Sequence, residues 1–182
     1  MKANRTVLTA VVIVVLVIAG WWLFRRGDRG QSTDLLSTFE MAEKRPAPTS
    51  FEIVEAELAG KKMRAIFTTP ASRLIWRMRI PDDGWLRVAL GMKPESWEQA
   101  GDGVLFRVGV SDGRAYDELF TQHLDPYANQ GDRRWIPVTV DLSAYAGEEV
   151  EVIFNTNRSL PGKGDDARSD LALWGQPEVV IR

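Results

Sequence analysis

Cysteine is absent from this 182-residue chain, and histidine occurs once, as His123. Without cysteine there is no disulfide framework, no thiolate metal site and no lipoprotein anchor. A single histidine rules out a multi-histidine zinc site and a Cys–His catalytic pair. A strong charge of either sign is missing too: 23 basic residues face 25 acidic ones, for a formal net charge of −2. A general nucleic-acid binder needs a basic surplus, so nucleic acid is excluded as a partner. Charges are interleaved rather than blocked, and no fixed-period repeat is found.

What stands out instead is an unbroken apolar run, VLTAVVIVVLVIAGWWLF, over residues 7–24. As a helix it spans about 27 Å, close to the thickness of a hydrocarbon core. Backbone groups in lipid must be satisfied within the segment, so a transmembrane helix is predicted. Trp21 and Trp22 stand where aromatic rings prefer the interface, and Arg25 and Arg26 end the run. A cleavable leader is the alternative, with Lys2 and Arg5 as its basic start and Val17 and Ala19 before a cut at Gly20. Continuation of the run through WWLF favours an uncleaved anchor. Basic residues flank both ends. The short tail 1–6 ahead of a large domain predicts a signal anchor in a bacterial inner membrane, with the C-terminal domain exported.

Residues 25–49 read as a linker holding a possible short helix, in which Leu35, Leu36, Phe39 and Met41 or Ala42 lie near one face. Pro46 and Pro48 end it, so the folded domain is expected over 50–182. From there the pattern has a period of two. FEIVEAEL (51–58), MRAIFTT (63–69), LIWRMRI (74–80), WLRVALGM (85–92), VLFRVGV (104–110), WIPVTVDL (135–142) and EVEVIFNT (149–156) read as strands, with another near 171–181. YDELFTQHL (116–124) is ambiguous in pattern, but its length suggests a strand. LSAYAG (142–147) suggests one tight helical turn. The turn sequence PDDG (81–84) predicts that 74–80 and 85–92 pair as a hairpin. Many short strands without a long helix in this region indicate an all-β sandwich or barrel.

The run FRVGVSDG (106–113), LFTQHLDP (119–126), WIPVTVDLSAYAG (135–147), EVEVIFNT (149–156) and WGQPEVVI (174–181) resembles the galactose-binding-like β-sandwich, in particular the carbohydrate-binding modules of glycoside hydrolases. The likeness covers residues 100–182 well and 51–99 by strand pattern only. It implies a two-sheet antiparallel jelly roll with neighbouring first and last strands, ligand binding by loops at one end, and often a structural calcium ion. This sequence departs from the pattern at GDDARSDLAL, before Trp174, where some relatives carry a histidine. The fold therefore transfers more readily than the ligand.

Three sets of residues are candidates for function. Sugars lay their C–H faces on aromatic rings, so Trp97, Tyr127 and Trp135 form a candidate platform, with Asn129, Asp132 and Arg133 as polar partners; Trp76 and Trp174 are expected in the core. Arg77, Arg79 and Arg87 would share one face if the hairpin forms, and could grip an acidic glycan, a lipid headgroup or a partner's carboxylates. The plainer reading is a solvated face paired with Glu149 or Glu151. Calcium takes oxygen ligands, and the resemblance makes Glu178 a possible one; Asp165, Asp166 and Asp170 form another acidic cluster. No nucleophile-elbow motif surrounds any serine, and the pairs Asp82-Asp83 and Asp165-Asp166 sit in turn sequences, so catalysis is not expected. The reading is a membrane-anchored, non-catalytic module binding carbohydrate of the cell envelope. The alternatives are a structural subunit docking onto another envelope protein, then a hydrolase of unfamiliar type.

Overall fold

The computed structural model describes residues 32–157 and 169–182. The apolar run 7–24 lies outside them, as do Asp165 and Asp166. No helix among the described residues is long and apolar enough to cross a membrane.

Eleven strands occur among the described residues: β1 (Thr33–Asp34), β2 (Glu43–Arg45), β3 (Phe51–Leu58), β4 (Lys61–Thr68), β5 (Ser72–Arg79), β6 (Gly84–Met92), β7 (Val104–Ser111), β8 (Tyr116–Leu124), β9 (Ile136–Asp141), β10 (Glu149–Asn157) and β11 (Ala172–Ile181). The helical elements between them are single 3₁₀ turns, including the expected one at Ser143–Tyr145. The strands form two antiparallel sheets. Sheet A runs β3-β4-β11-β6-β9, with β1 also on β11, and sheet B runs β2-β5-β10-β7-β8. The molecule is therefore the expected all-β, two-sheet antiparallel sandwich.

Alternation drives this arrangement. Leu74 and Trp76 of β5, Phe106 and Val108 of β7, and Val152 and Phe154 of β10 face inward from sheet B. Leu86, Val88 and Leu90 of β6 and Trp174 of β11 meet them from sheet A. Trp174 stacks on Phe154 at 4.5 Å and meets Phe106 edge-on at 5.0 Å. Its indole N–H donates to Thr156 Oγ1 at 3.1 Å, so the polar atom of a fully buried ring is satisfied. Both Trp76 and Trp174 are in the core, as expected.

Two expectations need correction. First, 74–80 and 85–92 do not pair: β5 belongs to sheet B and β6 to sheet A. Residues 80–83 cross from one sheet to the other. The crossing is held by Ile80 N–H to Glu148 O at 3.0 Å and Gly147 N–H to Ile80 O at 2.8 Å, bonds to the connection that carries β9 into β10. A turn sequence reverses the chain whether the flanking strands pair with each other or bridge two sheets. Second, residues 33–45 are not a linker. β1 pairs with β11, placing Thr33 opposite Val179, and β2 pairs with β5. In place of a short helix there is one 3₁₀ turn at Phe39–Met41. Leu35, Leu36, Phe39 and Ala42 are buried in the main core while Met41 is 84% exposed. Burying four apolar side chains against the sandwich stabilises this segment more than an isolated short helix could.

Candidate functional site

The structure does not bring Trp97, Tyr127 and Trp135 together on one exposed face. Trp135 is only 6% exposed and covers the outer face of sheet A, packed with Leu58, Met63, Ala65, Ala89 and Leu173. Gly91 of β6 and Gly175 of β11 leave the space its ring occupies. Its Nε1–H donates to Lys61 O at 2.9 Å. Half-buried Trp97 packs on the same cluster and donates to Met92 O at 3.1 Å.

The polar candidates nearby are spent on the loop itself. Arg133 donates to Pro126 O at 2.7 Å and to Trp97 O at 3.1 Å, joining two loops. Asn129 Nδ2 donates to Asp132 Oδ1 at 3.0 Å, and Asp132 Oδ2 accepts the Asp125 amide at 2.9 Å. Tyr127 remains 50% exposed, but the crevice it lines holds only about 10 Å³, room for a water and not a sugar.

The arginine face also divides. Arg77 and Arg79 stand on the outer face of sheet B, and Arg87 on that of sheet A. Arg77 donates to Glu151 at 2.7 Å, a bond that raises its pKa, as the plainer reading anticipated. Arg87 pairs with Glu178 at 3.0 Å. That pairing occupies the carboxylate expected for calcium. Among the described residues no three His, Asp or Glu side chains come together as a metal site; Asp165 and Asp166, the other members of the Asp170 cluster, lie outside those residues. His123 Nε2 lies 2.7 Å from Asp102 O, a structural contact between β8 and a loop.

The arrangement best suited to a ligand lies on the outer face of sheet B. In one row across the strands stand Arg45, Arg73, Asn155, Arg107 and Thr121, brought together by the pairings of β2, β5, β10, β7 and β8. Beside this row lies Tyr116, 43% exposed, its ring packed against β7 at Gly109, where a side chain would leave it no room. Local sequence chemistry puts it there. Asp112 Oδ1 accepts the amides of Arg114 at 2.8 Å and Ala115 at 2.9 Å, closing the turn into β8. Those backbone bonds lower the Asp112 pKa. A register shift beside Gly109 marks a bulge in the β7–β8 ladder, a device that re-aims neighbouring side chains.

Hydrogen-bond polarity in this site follows from donor counting. Arg73 Nε donates to Asn155 Oδ1 at 2.6 Å. Arginine is donor-only, so this bond sets the amide orientation, and Nδ2 faces Tyr116 Oη at 3.2 Å. The phenol oxygen therefore accepts from Asn155, and its own hydrogen is free to point outward. Burial pushes the Tyr116 pKa up. An open groove of about 280 Å³ adjoins, lined by Arg45, Pro46, Ala71, Arg73, Asn155 and Asn157 among others. Its volume is near the lower limit of small-ligand clefts, about 300 Å³. The sequence offered one signal for this site, the SDG turn before Tyr116. The partnership with Asn155, 39 residues away, left none.

No known family model matches the chain. An uncharacterised protein of Archaeoglobus fulgidus is 40% identical over 101 residues, which is 55% of this chain and 25% of the relative. The chain thus spans about a quarter of that protein. Among solved structures, a region of Clostridium perfringens ZmpB containing an M60 catalytic domain and two CBM51 domains matches with TM-score 0.51 and 17% identity, covering 83% of this chain and 14% of that one. A xylan-binding CBM22 domain from Paenibacillus barcinonensis Xyn10C matches with TM-score 0.51 and 9% identity, over 84% of this chain and 99% of that one. The CBM51 of a C. perfringens GH95 protein, solved with methyl-galactose, matches with TM-score 0.50 and 16% identity, over 76% and 87%. At these identities the likeness is one of fold: this chain shares its two-sheet sandwich with carbohydrate-binding modules.

Proposed function

We propose that this chain is a non-catalytic glycan-binding module that holds a sugar ring against Tyr116 on the outer face of sheet B. The observation that carries the reading is the half-exposed tyrosine packed on Gly109 beside Asn155 and Arg73. An amphipathic ring backed by fixed polar groups is what a pyranose needs, because its C–H face is apolar and its edge is hydroxylated. The solved neighbours of this fold are carbohydrate-binding modules, which supports the same reading. The apolar run 7–24 would tether the module to a membrane and display it on the exported side, facing envelope polysaccharide. The test is a glycan array probed with the full chain in detergent, with Tyr116→Ala as the partner variant. Binding that disappears in the variant supports the reading; binding that persists unchanged refutes it.

A docking subunit is the second reading. It is favoured by the apolar strip on the outer face of sheet A, where Val54, Ala56, Phe67 and Trp97 are only half-buried. A stable protein partner that is released by Phe67→Asp, with no glycan bound, would support it.

A further inference from the structure

We infer that the ligand on the Tyr116 face is acidic: a sugar bearing a carboxylate, seated with its ring on Tyr116 and its carboxylate on the outer edge of the Arg73 guanidinium. The inference rests on the glycan-binding reading above and deepens it.

The arginines of this face differ in one respect. Arg45 pairs with Glu43 at 2.5 Å, Arg77 with Glu151 at 2.7 Å and Arg107 with Glu118 at 3.4 Å. Arg73 and Arg79 have no ion pair among the described residues, and of the two it is Arg73 that stands beside Asn155 and Tyr116. Its Nε is engaged by a neutral amide, Asn155 Oδ1 at 2.6 Å. That bond orients the guanidinium without neutralising it and leaves the terminal nitrogens to present a planar fork. A planar fork matches a carboxylate bidentately.

The neighbouring groups have the same sense. Asn155 is 8% exposed, so the group that steers Arg73 is itself held in place. Tyr116 offers its phenol hydrogen outward, because Asn155 already donates to its oxygen. Arg107, the next residue in the row, has a buried Nε without a hydrogen-bond partner among the described residues. The site therefore offers the Arg73 N–H groups and the Tyr116 O–H around a positive charge, while Glu118 is paired with Arg107 and Glu43 with Arg45. A neutral sugar satisfies the phenol and the ring but leaves Arg73 without a counter-charge. A uronic acid satisfies all three.

The experiment compares uronate oligosaccharides (pectate, alginate, hyaluronan and glucuronoxylan fragments) with their carboxyl-reduced neutral counterparts, titrated into the full chain in detergent. At least one uronate is expected to bind tenfold or more tightly than its reduced partner. Arg73→Gln is expected to bring that ratio to about one while the reduced sugar still binds, and Tyr116→Ala to lose both. Thermal melts check that each variant is folded. Equal binding of the acidic and reduced sugars, or a preference that survives Arg73→Gln, overturns the acidic assignment and leaves the glycan reading standing. Absence of binding in both series overturns both.

Discussion

The indole of Trp135 lies so close over Gly175 that a Cβ built on the glycine would stand 2.7 Å from Cζ3 of the ring. This contact defines Trp135 as part of a second, smaller core on the outside of sheet A. Trp135→Ala should cost about 3–5 kcal/mol of folding stability, as for other buried aromatics. Gly175→Ala, which pushes against the ring and against Met63, should cost about 1–3 kcal/mol. Urea unfolding checks both. A Trp135→Ala protein of unchanged stability that had lost its sugar would make the residue a binding platform after all.

Tyr116 depends on Gly109 in a different way. A Cβ at Gly109 would come within 2.4 Å of the tyrosine ring, which is half exposed and free to lift. Gly109→Ala should therefore cost only about 1 kcal/mol in stability. Glycan affinity should fall about tenfold, because a misaligned stacking ring loses about 1.4 kcal/mol of contact. Calorimetric titration beside a thermal melt separates the two effects.

Acid should weaken the fold partly through two turn carboxylates. Backbone bonds from Ala115 and Arg114 lower the Asp112 pKa, and the bond from Ser143 lowers that of Asp141. A carboxyl group with a depressed folded pKa stabilises the protein above its unfolded value and loses that contribution as pH falls through the folded one. The melting temperature should therefore drop below the ordinary carboxylate range. Asp112→Asn and Asp141→Asn should each flatten that limb, read from melting temperature against pH.

The Arg87–Glu178 pair at 3.0 Å is exposed enough to be worth under about 1 kcal/mol. Glu178→Gln should shift stability by no more than that, and EDTA should shift the melting temperature of the variant and the parent equally. A chelator effect confined to the parent would assign Glu178 to calcium.

Local chemistry made much of the architecture readable. The segment 51–58 coincides with β3 from end to end, with Phe51 and Ile53 turned to the main core and Val54, Ala56 and Leu58 to the cluster on the other face. The SAY turn at 143–145 was legible as well. Partner choice was not. PDDG reads as a reversal, yet the strands on either side of it belong to opposite sheets, and nothing within ten residues encodes that. The same limit hid the site. Trp135 looks like a loop aromatic until Gly91 and Gly175 from two other strands form a seat beneath it. Tyr116 looks like an ordinary strand residue until Asn155 and Arg73 arrive from β10 and β5.

The short strand at Thr33–Asp34 is the first element of the sandwich among the described residues. It is stitched to β11, and eight residues, 25–32, separate it from the end of the apolar run at Phe24. A chain of that length reaches about 28 Å at full stretch. On the anchoring proposed for residues 7–24, the sandwich would sit within about that distance of the lipid. A polysaccharide bound by a module so anchored would then lie close to the membrane surface.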